Sequence, residues 1–217
     1  MEKIDQIYYI NLEHRTDRRE HIENEIKKID SDLEKTTRIE AIKHEQGGIG
    51  CGMSHIKVLE DAIEKNYQNI IVLEDDFKFT VETNIFFEYL QELYNYDKEY
   101  NICMLSRYII SHNKLNDKIS EVIFGKTTSG MLINGRFFKT LKDNFSESIG
   151  ELLKGNQNIN NGYAGNNKFA IDENWKKLQG IGKKFYTFNI PLGIQIGSFS
   201  DIEKRNTNYL RFLNKII

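Results

Sequence analysis

Short apolar runs alternate with longer amphipathic stretches along the chain. The first run, residues 7–10, is β-branched and aromatic, which predicts a buried strand. The run at 70–73 is continuously apolar, as expected for a strand buried on both faces of a parallel sheet. Further strands are predicted at 38–42, 102–105, 129–133 and 185–188.

Between these runs, apolar residues recur at helical spacing. Ile22, Ile26 and Ile29 share one face of a predicted helix. Further helices are predicted at 54–65, 84–94, 136–144 and 171–178. The glycine-rich segment 47–52 predicts a flexible loop that ends at Ser54, a suitable helix N-cap.

The remaining segments favour irregular structure: residues 156–167 are rich in Asn and Gly and predict a loop, and residues 190–200 predict an extended, glycine-punctuated segment. Beyond Tyr108 the pattern is weaker. Strands alternating with helices predict an α/β fold with a mostly parallel central sheet flanked by helices.

Composition narrows the classes of function. A chain of 217 residues suits a single domain, and its net charge of −2 offers no basic surplus for nucleic acid. The two cysteines form no disulfide framework. No apolar run approaches the ~20 residues of a membrane span, and the charged N-terminus lacks a signal peptide. We therefore expect a cytoplasmic protein; its oligomeric state stays open.

The most informative feature is the acidic run Glu74-Asp75-Asp76 directly after the apolar run 70–73. Ligand sites in open α/β sheets lie at the carboxyl ends of strands. Three adjacent carboxylates repel one another unless a charge neutralises them, and oxygen ligands select Mg²⁺ or Mn²⁺. The alternative is a solvated acidic turn or a helix N-cap. Phosphoesterases and NTPases also carry such acids, but no phosphate-binding Gly-x-x-x-x-Gly-Lys-Ser/Thr motif occurs.

Four stretches, in order, resemble glycosyltransferase family 25. That family includes bacterial lipooligosaccharide galactosyltransferases, and procollagen galactosyltransferases are related to it. The matching stretches are Ile10-Asn11-Leu12 with Arg15, Asp17 and Arg18; Gly50-Cys51-Gly52-Met53-Ser54-His55; Ile71-Val72-Leu73-Glu74-Asp75-Asp76; and Ile171-Asp172 with Tyr186, Pro191-Leu192, Gln195 and Ser200-Asp201-Ile202. Each is weak alone, but together they cover nearly the whole chain.

The resemblance implies a GT-A fold, a nucleotide-sugar donor and usually Mn²⁺, with Mg²⁺ as the other candidate. We expect a hexose from UDP-galactose or UDP-glucose to pass, by inversion, to a hydroxyl of a glycan or a protein-linked acceptor. The resemblance leaves two processes open for this transfer, lipopolysaccharide biosynthesis and collagen glycosylation. We assign nucleotide-sugar binding to residues 1–107 and acceptor binding to residues 108–217.

Donor-binding roles follow from the resemblance and from local chemistry. Arg15 and Arg18 lie one helical turn apart, and arginine binds phosphate oxygens in a bidentate manner. Ser54 and His55 are expected at a helix N-terminus, which suits anions. The alternatives are a solvated helix start, and a capping Ser beside a packed His. The expected donor-binding residues are Asn11, Leu12, Arg15, Arg18, Ser54, His55, Glu74 and Asp75.

Inversion requires a carboxylate to deprotonate the acceptor hydroxyl. Asp172 is the candidate, with Glu173 beside it; the alternative is an Asp172 that only caps a helix. The expected metal ligands are Asp76, Glu74 and Asp201. GT-A enzymes often add a late histidine, but the last histidine here is His112, so Gln195, Asp201 or water would have to replace it.

Two other functions stay open. One is an inactive module that binds a nucleotide sugar without turnover. The other is a metal-dependent phosphoesterase, which would need a histidine-rich cluster that five scattered histidines do not obviously supply.

Overall fold

The computed structural model describes residues 3–155, 167–197, 199–200 and 205–207. The strands are β1 (Gln6–Asn11), β2 (Thr36–Glu40), β3 (Asn69–Glu74), β4 (Phe77–Phe79), β5 (Ile102–Met104), β6 (Tyr108–Lys114), β7 (Ile119–Lys126), β8 (Gly130–Asn134), β9 (Phe185–Phe188), β10 (Gly193–Gln195), β11 (Phe199–Ser200) and β12 (Arg205–Asn206). The helices are α1 (Thr16–Ile26), α2 (Gly47–Glu64), α3 (Thr83–Tyr96), α4 (Phe138–Leu153) and α5 (Ile171–Asn174). Two 3-10 turns follow β8 and α5, at Gly135–Phe137 and Trp175–Leu178.

An eight-stranded sheet forms the centre of the described structure, in the order β2-β1-β3-β8-β5-β9-β7-β6. Strands β2, β1, β3, β5 and β9 run in one direction, so their carboxyl ends share one edge. Strand β8 runs against both β3 and β5, and β7 runs against β9. The sheet is therefore mostly parallel, as predicted, with β8 reversed at its middle.

Period-two alternation in the central strands builds a core on each face of the sheet. Ile7 and Tyr9 of β1 belong to the core packed against α1 and α3. Tyr8 and Ile10 belong to the opposite core, packed against α2 and α4. Both faces are covered by helices, which explains why the predicted strands read as continuous apolar runs.

The prediction for the glycine-rich segment was wrong. Residues 47–52 are the first turns of α2, and the N-cap is Gln46. A Cβ on Gly50 would lie 2.2 Å from the carbonyl oxygen of Ile42, and one on Gly52 would lie 2.4 Å from Ile149 of α4. These glycines therefore permit close packing of the helix, although glycine lowers intrinsic helix propensity.

Several smaller elements were not predicted. The hairpin of β6 and β7 forms one end of the sheet, and its outer strand is largely exposed. Strand β4 follows the acidic run directly and pairs with β10. Strand β10 lies within residues 190–200, which were predicted only as an extended segment. The predicted strand at 38–42 is shifted and lies at Thr36–Glu40. Predicted loop 156–167 lies outside the described residues except for its last position, Asn167.

Within the described residues, none of the helices combines the length and the apolar character that crossing a membrane would require.

Candidate functional site

The acidic run lies where β3 ends at the carboxyl edge of the sheet, and alternation sends its side chains in different directions. Leu73 points into the α1/α3 core and Val72 into the α2/α4 core. Glu74 continues towards the α2 side and contacts His55. Asp75 continues towards the α1 side and contacts Arg18. One short segment therefore supplies carboxylates to two neighbouring environments.

Asp75 is the fully partnered acid of the run. Its Oδ2 accepts a hydrogen bond from Nδ2 of Asn11 at 2.8 Å, and its Oδ1 accepts one from Arg18 at 2.8 Å. The residue is only 7% exposed, so the solvated acidic turn considered as an alternative is excluded. Burial raises the pKa of Asp75, while Arg18 and the bond from Asn11 act in the opposite direction.

Asp76 is less well partnered than Asp75. Its Oδ2 accepts a hydrogen bond from Nε2 of Gln195 at 3.1 Å and lies 3.5 Å from Arg18. No donor among the described residues reaches its buried Oδ1. Burial, together with the neighbouring charges of Glu74 and Asp75, raises the pKa of Asp76 to about 7. A buried carboxylate with an unused oxygen is a natural position for a cation.

Phe77 anchors the end of the acidic run. Its ring is fully buried, and β8 and β10 approach it where they carry glycine. A Cβ would lie 2.4 Å from the ring if placed on Gly130 and 2.1 Å from it if placed on Gly193. The same packing brings Gln195 of β10 beside Asp76. Only glycine fits at both positions, so these two residues help to fix the acidic side chains.

Glu74 sits between α2 and the segment that leads into β8. Its Oε1 accepts hydrogen bonds from Nε2 of His55 at 3.1 Å and from the Thr128 hydroxyl at 2.8 Å. Burial alone would raise the pKa of Glu74, but the bond from His55, the charge of His55 and the bond from Thr128 lower it below its ordinary value. Glu74 is therefore held as a carboxylate.

Two predicted phosphate ligands lie at the start of α1. Arg15 is the N-cap position and pairs with Asp17 at 2.8 Å, while Arg18 lies in the first turn and reaches Asp75. Both guanidinium groups donate to the carbonyl oxygen of Phe199, at 3.3 and 3.0 Å. The two arginines therefore converge on one place, as predicted, beside the acidic run.

A third arginine, Arg38 of β2, was missed. It donates to Oδ1 of Asn11 at 3.3 Å and lies 3.5 Å from the backbone oxygen of the same residue. Asn11 thus links Arg38 to Asp75. Twenty-seven residues separate Arg38 from Asn11, so only the parallel pairing of β1 and β2 brings them together.

Asp172 and Glu173 lie in the short helix α5, whose N-cap is Ala170, so Asp172 is not the capping residue considered as an alternative. Burial raises the pKa of Asp172 to about 6, with Glu173 adding to the effect. Its Oδ2 has a long contact of 3.4 Å with the backbone N–H of Thr127. Glu173, by contrast, is held by ion pairs with Lys126 and Lys176.

The two acidic regions are linked through residues 127–129, and Cys51 of α2 lies beside Glu74. Burial raises the pKa of the Cys51 thiol, and the charges of Glu74, Asp172 and Asp76 raise it further. Residues 127–129 connect them, since Thr127 contacts Asp172 and Thr128 contacts Glu74. Ligand atoms of Cys51, His55 and Glu74 also lie within 4.8 Å of one another, a grouping that sequence reasoning missed.

The family profile described as "Glycosyltransferase family 25 (LPS biosynthesis protein)" matches residues 43–164, more than half of the chain. The chain belongs to glycosyltransferase family 25. The matched region contains Cys51, His55 and the acidic run. Asn11, Arg15, Arg18 and Asp172 lie outside it, so their roles depend on the geometry described above.

This family 25 member is similar in fold to solved structures. A glycosyltransferase involved in the glycosylation of the major capsid of PBCV-1 superposes with a TM-score of 0.54 at 7% identity, over 88% of this chain and 92% of that one. The glycosyltransferase GlyE of Streptococcus pneumoniae TIGR4 gives a TM-score of 0.47 at 10% identity, over 96% and 58%. A search of curated proteins gave no match. The fold is GT-A-like, as predicted.

Four predicted site residues of the family 25 chain need correction or restriction. Ser54 and His55 lie inside α2, not at its N-terminus, so a helix-terminal anion site at this position is wrong. Ser54 accepts from the backbone of Ile42 and donates to that of Gly50, which fixes the start of α2. Leu12 is half-buried, and its carbonyl accepts from the Arg15 N–H. Asp201, an expected metal ligand, lies outside the described residues.

Proposed function

We propose that this glycosyltransferase transfers galactose or glucose from a UDP-sugar to a hydroxyl group of a glycan or of a protein-linked acceptor, with inversion at the anomeric carbon. The supporting observation is that Asp76 has a buried oxygen that no described donor reaches, while the half-buried Asp172 has a single long contact, with the backbone N–H of Thr127. Residues 127–129 link the two acidic regions, because Thr128 contacts Glu74. One acid faces the arginines of α1, and the other lies on α5. That arrangement suits a donor diphosphate on one side and an acceptor hydroxyl on the other.

The donor is assigned to the carboxyl edge of β1 and β3. Arg15 and Arg18 would orient the diphosphate, since guanidinium groups match phosphate oxygens geometrically. Arg38 would add a third positive charge through its position beside Asn11. A diphosphate that draws Arg18 towards itself would also release the charge that now neutralises Asp75.

The acidic run fits a hard divalent cation. Asp76 offers a buried oxygen that no described donor reaches, and its Oδ2 is held by Gln195. We assign Mn²⁺, with Mg²⁺ as the other candidate, to Asp76 with Glu74 nearby. Such an ion, when bound, would stabilise the negative charge that develops on the departing nucleotide. Asp201 stays a proposed further ligand.

Asp172 is assigned as the general base. The acceptor oxygen would attack the anomeric carbon while the bond from that carbon to the phosphate oxygen breaks and UDP departs. The hydroxyl proton would pass to Oδ of Asp172, whose raised pKa of about 6 leaves it ionised near neutral pH yet more basic than an exposed carboxylate. Glu173 is committed to two lysines and is the poorer candidate.

A transfer assay with a panel of UDP-sugars and hydroxyl acceptors, with and without Mn²⁺, tests this proposal. We expect UDP release coupled to a new glycosidic bond of inverted configuration, read by proton NMR. Asp76→Asn should abolish the dependence on Mn²⁺ and most of the turnover, whereas Asp143→Asn, an exposed acid on α4, should behave as wild type.

Two outcomes would contradict the assignment. Binding of UDP-sugars without turnover across the panel would indicate an inactive binding module. Hydrolysis of phosphate esters without sugar transfer would indicate a phosphoesterase. Of the chain's histidines, only His55 belongs to a metal-type cluster among the described residues, which does not favour the phosphoesterase.

A further inference from the structure

Cys51 and His55 lie one turn apart on the same face of α2, and the end of β3 presents Glu74 to that face. The Cys51 Sγ, a ring nitrogen of His55 and a carboxylate oxygen of Glu74 all lie within 4.8 Å of one another. Two rigid elements, a helix and a central strand, therefore bring together a sulfur, a nitrogen and an oxygen ligand. No disulfide competes for the sulfur, since Cys51 is a free cysteine.

We infer that Cys51, His55 and Glu74 form a binding site for a divalent cation that prefers thiolate ligands, such as Zn²⁺. Thiolate and imidazole ligands favour Zn²⁺ over the hard ions Mg²⁺ and Mn²⁺. Three protein ligands leave a fourth tetrahedral position for water or another small ligand. Glu74 is the one acid that this site shares with the acidic run, and Asp76, to which Mn²⁺ or Mg²⁺ is assigned, is not among its ligands.

The distances are compatible with a bound ion after small side-chain movements. Zinc–sulfur bonds of about 2.3 Å and zinc–nitrogen or zinc–oxygen bonds of about 2.0–2.1 Å place tetrahedral ligand atoms roughly 3.3–3.6 Å apart. Nε2 of His55 and Oε1 of Glu74 are already 3.1 Å apart. The sulfur needs the remaining adjustment, and rotation of the half-buried Cys51 side chain can provide it.

The surroundings hold two of the ligands in place. The His55 ring packs edge-on against Phe145, with ring centroids 5.9 Å apart, and the Thr128 hydroxyl donates to the Glu74 carboxylate at 2.8 Å. Ligating carboxylates in metal sites are commonly hydrogen-bonded in this way. The hydrogen bond between His55 and Glu74 would be replaced by their shared bonds to the cation.

Cobalt provides the direct test, because Co²⁺ bound to a thiolate has a ligand-to-metal absorption band in the near ultraviolet that oxygen-only sites lack. Titration of the reduced, metal-free chain with Co²⁺, without any nucleotide, should give this band at one equivalent. Zn²⁺ added afterwards should remove it, whereas Mn²⁺ in excess should not. Absence of the band, or its loss to Mn²⁺ at equal concentration, would overturn the inference.

Variants assign the ligands. Cys51→Ser should eliminate the band and weaken Zn²⁺ binding by at least about 100-fold, since changes outside the ligand set already cost about 10–100-fold. Cys103→Ala, at the chain's other cysteine, and His112→Ala, at an exposed histidine, should retain it. A band that survives Cys51→Ser and is lost in Cys103→Ala would exclude Cys51 as the sulfur ligand.

The same titration separates this inference from the proposed function. Asp76→Asn should keep the cobalt–thiolate band, because Asp76 is not one of the three ligands. An enzyme that transfers sugar with Mn²⁺ but shows no such band would refute only the zinc-class site. A chain that binds Co²⁺ through Cys51 but transfers no sugar would refute only the proposed transfer reaction.

Discussion

The acidic run after β3 and the acidic pair on α5 resemble each other in composition but differ in surroundings. Each places a well-partnered acid beside an underused one: Asp75 beside Asp76, and Glu173 beside Asp172. The first region contains the Arg18 guanidinium and amide donors, whereas in the second region the ammonium groups of Lys126 and Lys176 form ion pairs with Glu173. These different surroundings are the basis for proposing that Asp76 binds a cation and that Asp172 accepts a proton.

This difference shows that the position of an acid along its strand or helix, more than its residue type, decides which carboxylate keeps an oxygen with few hydrogen-bond or ion-pair partners. In the acidic run, alternation sends Asp75 to the helix that carries Arg18 and leaves Asp76 at the turn. On α5, the ammonium groups of Lys126 and Lys176 reach Glu173 and leave Asp172 with one long backbone contact. Four substitutions test whether the two underused acids have the different roles proposed for them.

The largest effect is expected for Asp172→Asn. Loss of a general base typically costs about 10²–10⁴-fold in rate. UDP affinity should stay at the wild-type value, because the amide replaces a group assigned to the acceptor and not to the nucleotide. In the wild type, kcat should rise with pH through about 6 and then level off, since the ionised base is required. Near-normal transfer by the variant would reassign the base.

The next effect is expected for Arg18→Ala in the donor region. Removing a charged hydrogen bond of about 1.5–3 kcal/mol should raise the Kd for UDP by about 10–100-fold, measured by calorimetry. Arg136→Ala removes an exposed arginine that binds Glu99 and should leave UDP binding unchanged. Equal UDP affinity in the Arg18 variant would remove the phosphate role from the start of α1.

A smaller effect concerns the stability of the metal-free chain. The pKa of Asp76 is about 7 when folded and near its ordinary value of 3.8 when unfolded, so the folded state binds more protons between those values. The free energy of unfolding should therefore fall as pH rises from about 4 to 7. Asp76→Asn should flatten this dependence and raise Tm at pH 7 by at least about 2–4 °C. If the free energy of unfolding of the variant has the same pH dependence as that of the wild type, Asp76 is not the group with the raised pKa.

The smallest effect is expected for Glu173→Gln. The side chain keeps its size and loses two ion pairs with lysines that are themselves partly exposed, and such pairs are typically worth about 1 kcal/mol or less. We expect less than a tenfold change in kcat. A loss as large as that of Asp172→Asn would mean that the two acids of α5 act as a unit.

Continuous apolar runs made the central strands predictable from sequence, because both faces of β1 and β3 are buried. The glycines at 50 and 52 were misread, since the absence of a side chain serves flexible loops and close packing equally well; only the positions of Ile42 and Ile149 distinguish the two. The β6–β7 hairpin was missed because the outer strand is exposed and lacks a clear apolar alternation.

The part of the candidate site that lies at the end of a predicted strand could be predicted from sequence. The acidic run was found because it ends a buried strand. Its division between α1 and α2 follows from period-two alternation, but the partners come from distant segments. Arg38 and the Cys51–His55–Glu74 grouping depend on contacts between elements, which no local pattern encodes.

Strand β8 has a consequence for how the chain is made. It enters the middle of the sheet in reverse, between β3 and β5, although it follows both of them in sequence. On a ribosome, β3 would therefore expose an unpaired edge until residues 130–134 have emerged. Exposed edges of apolar strands recruit other chains. We expect nascent chains truncated before residue 130 to be strong clients of chaperones, and chains released after β9 to be much weaker ones.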